Sequence, residues 1–359
     1  MRSFAAVLLV ALFAATAGAQ VTPAAATTPP DDTPSIKVGG TLFADYTYVD
    51  SPTTKDADGN VVHPSSFNVA RAYINLTGQL FHRVSYRITP DIARESGTGS
   101  SLNGSQTFRL KYAFAQLNLD DWTTKGSFVR LGLQQTPLID YQETVYRYRF
   151  QGPVFVDREG YLIASDNGLG GRWMIPNGYG EIYAGFYNGE GYSRTEANDE
   201  KAFQIRGTVR PLPLGGIWKG LRMSGFYDAD NYLQDAKRTR AVADITFEHA
   251  RANAGFIYMT AKDQSSSHNP TIDAKGWSAW VTPKLPHNFE VLARHDHLEP
   301  NTDTDQERDR NIFGVSYWVP TPKGVTAAVL LDYDSLEQKG FSTARPDDTR
   351  YGFHLLLNF

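Results

Sequence analysis

The sequence predicts an all-β fold, a transmembrane antiparallel β-barrel of about sixteen strands. Three observations predict it: an N-terminal pattern typical of exported proteins, a regular alternation of long and short connections, and a last strand with one apolar face. From Tyr351 to Phe359 every odd-numbered residue is apolar, whereas Gly352, His354 and Asn358 lie on the opposite side. Taken alone, this stretch also fits the buried last strand of a β-sandwich. A chain that ends within a strand on an aromatic residue is expected where the last strand seals against the first.

The N-terminal part of the sequence indicates export. Residues 1–19 carry a basic n-region, an apolar run over 4–15 and Ala-Gly-Ala at 17–19, which is the pattern of a secretory signal peptide. Residues 20–35 are rich in Pro, Ala and Thr, so we expect an extended, flexible lead. The barrel is expected over 36–359. The chain has no cysteine, so disulfides are excluded.

The bulk composition agrees with a barrel in the outer membrane of a Gram-negative bacterium. After the signal, no apolar run approaches the ~20 residues of a spanning helix. The mean hydropathy of −0.39 fits strands whose lipid and lumen residues alternate, and the aromatic content of 13% fits girdles at the two membrane interfaces. The formal net charge of −4 says little about partners, because the face that carries each sign matters more. No nucleic-acid partner is expected.

The connections between strand-length segments alternate between long and short. Counting back from the C-terminus places the long ones outside the cell and the short ones in the periplasm. The expected external connections are 51–65, 91–105, 136–160, 188–200, 230–239, 262–274, 298–309 and 335–348. The expected periplasmic turns are 78–83, 120–126, 175–178, 211–219, 250–252, 283–287 and 320–323. A soluble sandwich has no reason for this regularity, whereas bacterial barrels require it together with an even number of strands.

The positions of charged residues indicate which face of each strand points to lipid and which to the lumen. An Arg or Lys on the lipid face near mid-bilayer costs ~2–4 kcal/mol, whereas a lumen position is hydrated. In strand 106–119, Arg109 and Lys111 therefore face the lumen. The residues of that strand expected to face lipid are Phe108, Leu110, Tyr112 and Phe114. By the same rule, four further arginines are expected to face the lumen: Arg71, Arg87, Arg130 and Arg206.

The later strands carry acids on their expected lumen face. These residues are Asp228, Asp244, Glu248, Glu290 and Asp332. The lumen is thus predicted to be basic on one wall and acidic on the other. These opposite charges nearly cancel in the formal net charge of the chain. The basic wall is expected to lack acids on its own strands. Because a barrel with a filled interior should pack paired groups there, this pattern favours an open pore.

The third external connection, 136–160, is the longest and is too apolar for a surface loop. Five aromatic residues alternate with charge in it, and long loops of this kind are usually functional. We expect it to fold inward and to narrow the channel, which brings Arg147, Arg149 and Arg158 to the pore. The alternative, which the sequence leaves open, is that these arginines pair with acids of the same loop. Those acids are Asp140, Glu143, Asp157 and Glu159.

Several segments resemble the phosphate-selective porin O and P family. They begin at Arg71-Ala-Tyr-Ile-Asn-Leu and Ser85-Tyr-Arg-Ile-Thr-Pro-Asp and include Val129-Arg-Leu-Gly-Leu-Gln-Gln-Thr-Pro-Leu and Tyr187-Asn-Gly-Glu-Gly-Tyr. The resemblance is strongest from Phe67 to Tyr192. It implies a sixteen-stranded barrel, usually trimeric, that passes anions and binds phosphate through basic residues lining the pore. The residues that fit this description in kind are Arg71, Arg87, Arg109, Lys111 and Arg130.

Three functions remain at this stage. The first is a porin that passes small hydrophilic solutes and prefers anions such as phosphate; the second is a general diffusion porin; the third is an outer-membrane enzyme or structural barrel. No Walker, zinc or G-x-S-x-G motif is present, so no enzyme activity, catalytic residue or cofactor is expected. His295 and His297 share a strand face without a third ligand nearby, so no metal is expected either.

The expected partners are small anions, outer-membrane lipid and lipopolysaccharide, and two further copies of the chain in a homotrimer.

Overall fold

The computed structural model describes residues 32–359 except 96, 98 and 344. The predicted signal peptide and the lead up to residue 31 lie outside the described residues. Within the described part, sixteen antiparallel strands form one closed barrel, which confirms the predicted fold class and strand number. No helix in that part is long and apolar enough to cross a membrane.

The strands follow one another around the ring in chain order. The barrel strands are β1 (Ser35–Ser51), β4 (Ser65–Phe81), β5 (Val84–Arg94), β6 (Gln106–Asn118), β7 (Phe128–Gln135), β8 (Ser165–Ile175), β9 (Gly180–Tyr187), β10 (Ala202–Val209), β11 (Leu221–Leu233), β12 (Ala236–Glu248), β13 (Ala252–Asp263), β14 (Ile272–Pro283), β15 (Phe289–Glu299), β16 (Glu307–Val319), β17 (Thr326–Lys339) and β18 (Asp348–Asn358). A separate small hairpin in the first long connection consists of β2 (Thr54–Lys55) and β3 (Val61–Val62). The connection after β7 holds the helices α1 (Pro137–Val145) and α2 (Phe155–Arg158). Short 3₁₀ turns cover Pro176–Gly178, Gly216–Gly220 and Pro286–Asn288.

Side chains alternate along each strand between a buried face and an accessible one. In β15, Glu290, Leu292 and Arg294 are buried, whereas the residues between them are partly accessible. The accessible face carries most of the exposed large apolar side chains, such as Phe256 and Leu331. In a closed barrel these two sets point inward and outward, respectively. We therefore call the buried set the inner face and the other set the outer face.

The pairing of β1 with β18 closes the ring. The N–H of Gly40 donates to the carbonyl oxygen of Phe359 at 2.9 Å, and the N–H of Phe359 donates back to Gly40 at 3.0 Å. The Phe359 ring also covers Gly40 so closely that a Cβ there would lie 2.6 Å from Cζ of the ring. Because unpaired backbone groups cost several kcal/mol each in hydrocarbon, this seam completes a barrel without a free edge.

A β-bulge changes the face assignment in β6. Thr89 pairs with Tyr112 and Pro90 with Leu110, which leaves Lys111 without a partner in the ladder. Proline has no N–H to donate, so an irregularity opposite Pro90 is expected. Beyond the bulge the faces exchange, and Tyr112 is 7% exposed. The prediction that Tyr112 and Phe114 face lipid is therefore wrong: Arg87 lies over the ring of Tyr112 and Arg130 over that of Phe114.

Two other sequence predictions about connections are also wrong. The expected external loop 230–239 is a tight turn, because β11 continues to Leu233, β12 begins at Ala236, and Asp235 takes a positive φ of 60°. Two of the polar residues that suggested a loop, Asp230 and Arg238, instead form an ion pair with each other on the inner face. Asp91, which was expected at the start of an external connection, lies within β5 and is fully buried.

A charged cluster links the start of β1 to the neighbouring turns at the end of the barrel with the short connections. His82 Nδ1 contacts Asp32 Oδ1, and Nε2 lies 3.0 Å from Asp121 Oδ2. Arg83 Nε donates to the same Asp121 oxygen at 2.7 Å, and its guanidinium lies over the ring of Trp122. The hydrogen bonds to Asp32 and then to Asp121 raise the pKa of His82 above its usual 6.5.

Deletion of Phe359, or its replacement by Asp, should block barrel assembly. The deletion removes both hydrogen bonds to Gly40, and Asp would bring a charge to the apolar end of the seam. The measurement is the amount of heat-modifiable, folded protein in outer-membrane fractions, with the exported total as reference. Normal insertion of the truncated chain would show that the seam does not depend on its last residue.

Single cysteines should report the bulge in β6. A small charged thiol reagent supplied through the lumen should label Cys at 109 and 112 but not at 110 or 113. Without the bulge, 113 would share the face of 109 and 111 and would be labelled instead of 112. Labelling at 113 with protection at 112 would therefore contradict this register.

The ion pairs of His82 should depend on pH. Because the folded-state pKa of His82 is raised, its pairs with Asp32 and Asp121 are fully present below pH 6.5 and are lost as the pH rises through the raised value. Asp121→Asn should lower the pKa of His82, measured by NMR titration of labelled histidine rings in detergent micelles. Asp305→Asn, in an external turn, is the matched control and should leave it unchanged. An identical His82 titration in wild type and Asp121→Asn would remove Asp121 as a cause.

Candidate pore-lining site

The basic wall carries an acid of its own. Arg71 Nη1 donates to Asp91 Oδ2 at 2.7 Å, and Arg109 Nε donates to the same oxygen at 3.1 Å. Asp91 is fully buried, and the side chains of Arg71 and Arg109 remain 24% and 34% exposed. The prediction that the basic wall lacks acids is therefore wrong, because Asp91 was assigned to a connection. One carboxylate shared by two guanidinium groups leaves the trio with a net positive charge.

The other three predicted wall cations have neutral partners on the inner face. Lys111 Nζ donates to the hydroxyl of Tyr73 at 3.2 Å. Arg87 Nη2 donates to Asn75 Oδ1 at 2.9 Å. Arg130 donates to Gln116 at 2.6 Å and to Gln135 at 3.1 Å. Amide and hydroxyl oxygens orient a cation without cancelling its charge, so this part of the wall keeps its positive field.

Four of these cations also lie over aromatic rings, at distances of 4.0 to 5.0 Å from the ring centroid. The pairs are Arg87 with Tyr112, Arg109 with Tyr192, Lys111 with Tyr73, and Arg130 with Phe128. A cation over the face of a ring is attracted by the ring quadrupole, and the contact fixes the long side chain without neutralising it. The edge of a stacked guanidinium still presents N–H groups.

The segment between β7 and β8 packs against buried side chains of the later strands. Its helix α1 begins with Pro137, which is favourable at the first helical position, and Asp140 complements the helix N-terminus in the first turn. The buried apolar residues of the segment include Leu138, Ile139, Tyr146, Tyr148, Phe150, Val154, Phe155 and Val156. They form one cluster with the inner-face residues Val242, Ile257, Met259, Leu292, Ile312 and Leu330. The hydrophobic core of the described chain is therefore built jointly by this segment and strands β11 to β18, with Phe43 of β1.

The same segment binds acids of the predicted acidic wall. Gln142 Nε2 donates to Asp244 Oδ2 at 2.7 Å. The hydroxyl of Tyr148 donates to Glu290 Oε2 at 3.0 Å, and Arg147 pairs with the other oxygen of Glu290. Two further predicted wall acids have partners on neighbouring strands, Asp332 with His354 at 3.0 Å and Glu248 with Arg222. Asp228 is buried and, like them, lies on the inner face.

The three arginines predicted in the segment divide between two kinds of partner. Arg147 pairs with Glu290, and Arg158 Nη1 lies 3.2 Å from Asp334 Oδ2, so both bind strand acids. Arg149 Nε donates to Glu143 Oε1 at 2.7 Å within the segment. The alternative of pairing inside the loop thus holds for Arg149, with Asp157 at 4.0 Å as a more distant second acid.

Sequence reasoning missed a set of inner-face arginines on the later strands. They are Arg222, Arg238, Arg240, Arg294, Arg308 and Arg310. Arg294 is held by Asp296 at 2.6 Å and donates to the carbonyl oxygen of Pro153 at 2.9 Å. Arg240 donates to the carbonyl oxygen of Tyr161 at 3.0 Å, and Arg206, which was expected in the lumen, donates to that of Pro137 at 2.7 Å. The Arg-x-Asp spacing at 294 and 296 is a sequence signal for such a same-face pair.

A cavity of about 610 Å³ lies on the opposite side of the segment, against the first and last strands. Five arginines line it, Arg71, Arg94, Arg109, Arg149 and Arg350. Three aspartates line it as well, Asp45, Asp332 and Asp334. Asp244 and Glu290 are not among its lining residues, because the segment covers them. The cavity therefore adjoins the basic wall and is separated from much of the acidic one.

His295 and His297 lie on the outer face of β15. Nδ1 of His297 is 2.8 Å from Asp309 Oδ1, and Nδ1 of His295 is 2.8 Å from Asn311 Oδ1. Trp277 packs against both imidazole rings. Among the described residues no group of three or more His, Asp or Glu side chains is arranged to hold a metal ion. This pair therefore belongs to the outer surface and has no part in the cavity.

Several solved structures share the fold. The outer-membrane channel DcaP of Acinetobacter baumannii matches with a TM-score of 0.60 at 14% identity, over 91% of this chain and 98% of that chain. The anion-selective porin from Comamonas acidovorans gives 0.59 at 13% identity, over 91% and 100%. The trimer form of OmpT from Vibrio cholerae gives 0.58 at 13% identity, over 91% and 100%. Among curated proteins none matches this sequence.

The sequence itself carries the family relationship. The model of the family described as phosphate-selective porin O and P matches residues 36–285, which is well over half of the chain. The matched range contains all five predicted cations of the basic wall and the whole segment between β7 and β8. The chain therefore belongs to the phosphate-selective porin O and P family, and it is a porin of the outer membrane.

Proposed function

We propose that this porin passes small hydrophilic solutes across the outer membrane of a Gram-negative bacterium and prefers anions such as phosphate. One observation carries the proposal: the segment between β7 and β8 binds Asp244 and Glu290, whereas the lined cavity adjoins Arg71 and Arg109. A solute in that cavity therefore lies next to the basic wall, whereas the segment covers Asp244 and Glu290.

The proposal includes an inward fold of the third long connection, which narrows the channel. Its support is the spread of partners: Arg206 on β10, Asp244 on β12, Glu290 on β15, and Asp334 on β17 all bond to this one segment. These strands lie far apart around the ring, and their inner faces are accessible together only from inside a barrel. A loop lying above the rim would not reach them.

Anions should be enriched because the wall cations act over short distances. Charges screened over the ~8 Å Debye length of physiological salt still reach across a narrowed pore. Arg87, Lys111 and Arg130 keep neutral partners, and Arg71 and Arg109 share one carboxylate. The field at this wall is therefore positive even though the whole chain has a formal net charge of −4.

Phosphate fits the chemistry of this wall. The planar fork of a guanidinium matches two phosphate oxygens, and Arg71 and Arg109 each use only one nitrogen on Asp91. Conduction also requires that each site release its ion, and several partly satisfied arginines in sequence keep every single site weak. The family description names the same selectivity.

The second candidate is a general diffusion porin without phosphate selectivity. The observation that favours it is the mixed sign of the cavity lining, in which Asp45, Asp332 and Asp334 accompany the arginines. The third candidate, an enzyme or a structural barrel, is favoured only by the paired charges on the inner face, such as Arg294 with Asp296. The porin family match and the cavity beside the basic wall weigh against it.

The chain is further proposed to work as a homotrimer, embedded in outer-membrane lipid and lipopolysaccharide and exported by its signal peptide. The related fold of OmpT has been solved in a trimer form. The outer face, with residues such as Phe108, Leu131 and Phe313 exposed, needs an apolar environment of lipid or of neighbouring subunits.

In a planar bilayer with a salt gradient, the purified protein should give a reversal potential of the anion-selective sign, and phosphate should reduce the chloride current. Arg109→Gln and Arg130→Gln should each shrink both effects, because each removes a cation of the basic wall. Arg251→Gln, in an exposed turn, removes the same charge away from the cavity and should change neither effect.

A cation-selective or unselective wild-type channel would contradict the anion preference and would favour general diffusion. An anion-selective channel that is indifferent to phosphate would leave the anion preference standing and remove phosphate as a favoured permeant.

A further inference from the structure

One carboxylate of the cavity, that of Asp45 on β1, has only neutral partners. Its Oδ1 accepts hydrogen bonds from Asn68 Nδ2 and from Thr47 Oγ1, both at 3.2 Å. In the described part of the chain, no Lys, Arg or His nitrogen lies within 4.0 Å of this carboxylate, whose side chain is partly exposed in the cavity. Oδ2 is thus available to a solute.

The other two cavity aspartates are already paired. Asp332 is 2% exposed in its side chain and lies 3.0 Å from His354 Nε2. Asp334 binds Arg310 at 2.6 Å and Arg158 at 3.2 Å. Asp45 is therefore the acidic group of the lining that still offers an uncompensated negative charge.

The basic residues on the two strands beside Asp45 are held by other acids. His354 on β18 pairs with Asp45 across the ladder, and its Nε2 lies 3.0 Å from Asp332. On the β4 side, Phe43 pairs with Arg71 and Asp45 pairs with Asn68, and a β-bulge lies between these two pairs. Arg71 instead turns to Asp91 on the far side, at 2.7 Å, and Arg109 joins it there. Asp91 is thus a positioning residue that keeps the two charges of opposite sign apart.

We propose that the cavity binds solutes that carry both an anionic and a cationic group, such as small amino acids, and that Asp45 is the residue that recognises the cationic end. This inference deepens the proposed porin function and rests on it. The carboxylate of the solute binds the free guanidinium nitrogens of Arg71 and Arg109, and its ammonium group binds Asp45 Oδ2.

The separation of the charges explains why this solute class fits. A fixed acid and fixed arginines that do not neutralise one another are each still hydrated, and a zwitterion replaces water on both at once. An inorganic anion satisfies only the arginines and is repelled by Asp45. A cation satisfies Asp45 and is repelled by the arginines, which outnumber it in the lining.

The test is block of the open channel in a planar bilayer by three solutes of similar size: β-alanine as the zwitterion, propionate as the anion and propylamine as the cation. In wild type, β-alanine should have the lowest half-blocking concentration. Asp45→Asn should raise that concentration about tenfold, as expected for the loss of one charge-assisted hydrogen bond, and should leave block by propionate equal or stronger. Asp45→Glu, which keeps the charge, should remain within a few-fold of wild type.

Asp58→Asn is the matched control, because it removes one carboxylate from the exposed tip of the first external hairpin. It should leave all three half-blocking concentrations unchanged, and an open-channel conductance shows that each variant is folded. If β-alanine blocks no better than propionate, or if Asp45→Asn does not weaken it, the inference is overturned. The wild-type reversal potential is measured in the same bilayers, so a failure of anion preference is seen separately from a failure of zwitterion binding.

Discussion

The rest of the structure depends on backbone hydrogen bonding in a solvent that offers none. A strand in hydrocarbon must find partners on both sides, and the ring satisfies this only when β18 meets β1, down to the reciprocal bonds between Gly40 and Phe359. Once the ring is closed, every strand has an inner face that points into the barrel and an outer face that carries most of the exposed apolar side chains. The charge assignment follows from this, because ionised side chains are tolerated on one face and costly on the other.

The segment between β7 and β8 decides which charges remain available. It covers Asp244 and Glu290 with its own amide, hydroxyl and guanidinium donors, and inner-face arginines such as Arg206, Arg240 and Arg294 bind its backbone carbonyls in return. Three acids of the later strands, Asp244, Glu290 and Asp334, are therefore used to hold this segment. Of the basic-wall cations, Arg71 and Arg109 line the cavity and share Asp91. The other three have neutral partners and lie outside the cavity lining: Arg87, Lys111 and Arg130.

The fold could be predicted from the sequence because its signals are local: period-two alternation, connection lengths and the terminal apolar strand each lie within a short stretch. The exact faces in β6 could not, because the bulge at Lys111 arises from Pro90 on the neighbouring strand, and no pattern within 106–119 records it. The position of Asp91 was predicted wrongly for a related reason. Its two arginine partners lie 18 and 20 residues away, so a strand acid looked like the start of a polar connection. The cations of the wall were predictable one by one, whereas the pairing among them needs the register.

The register also explains how a wall of arginines can be held in fixed positions and still have N–H groups free to bind an anion. An arginine with a dedicated carboxylate offers little to a passing anion, and an arginine with no partner is mobile. Arg71 and Arg109 avoid both extremes by sharing Asp91, while Arg87 and Arg130 are oriented by amide oxygens and aromatic rings. Each keeps a fixed direction and a share of free N–H groups. Because transport needs binding that is specific but brief, partly satisfied arginines in series suit the proposed anion passage better than one saturated site would.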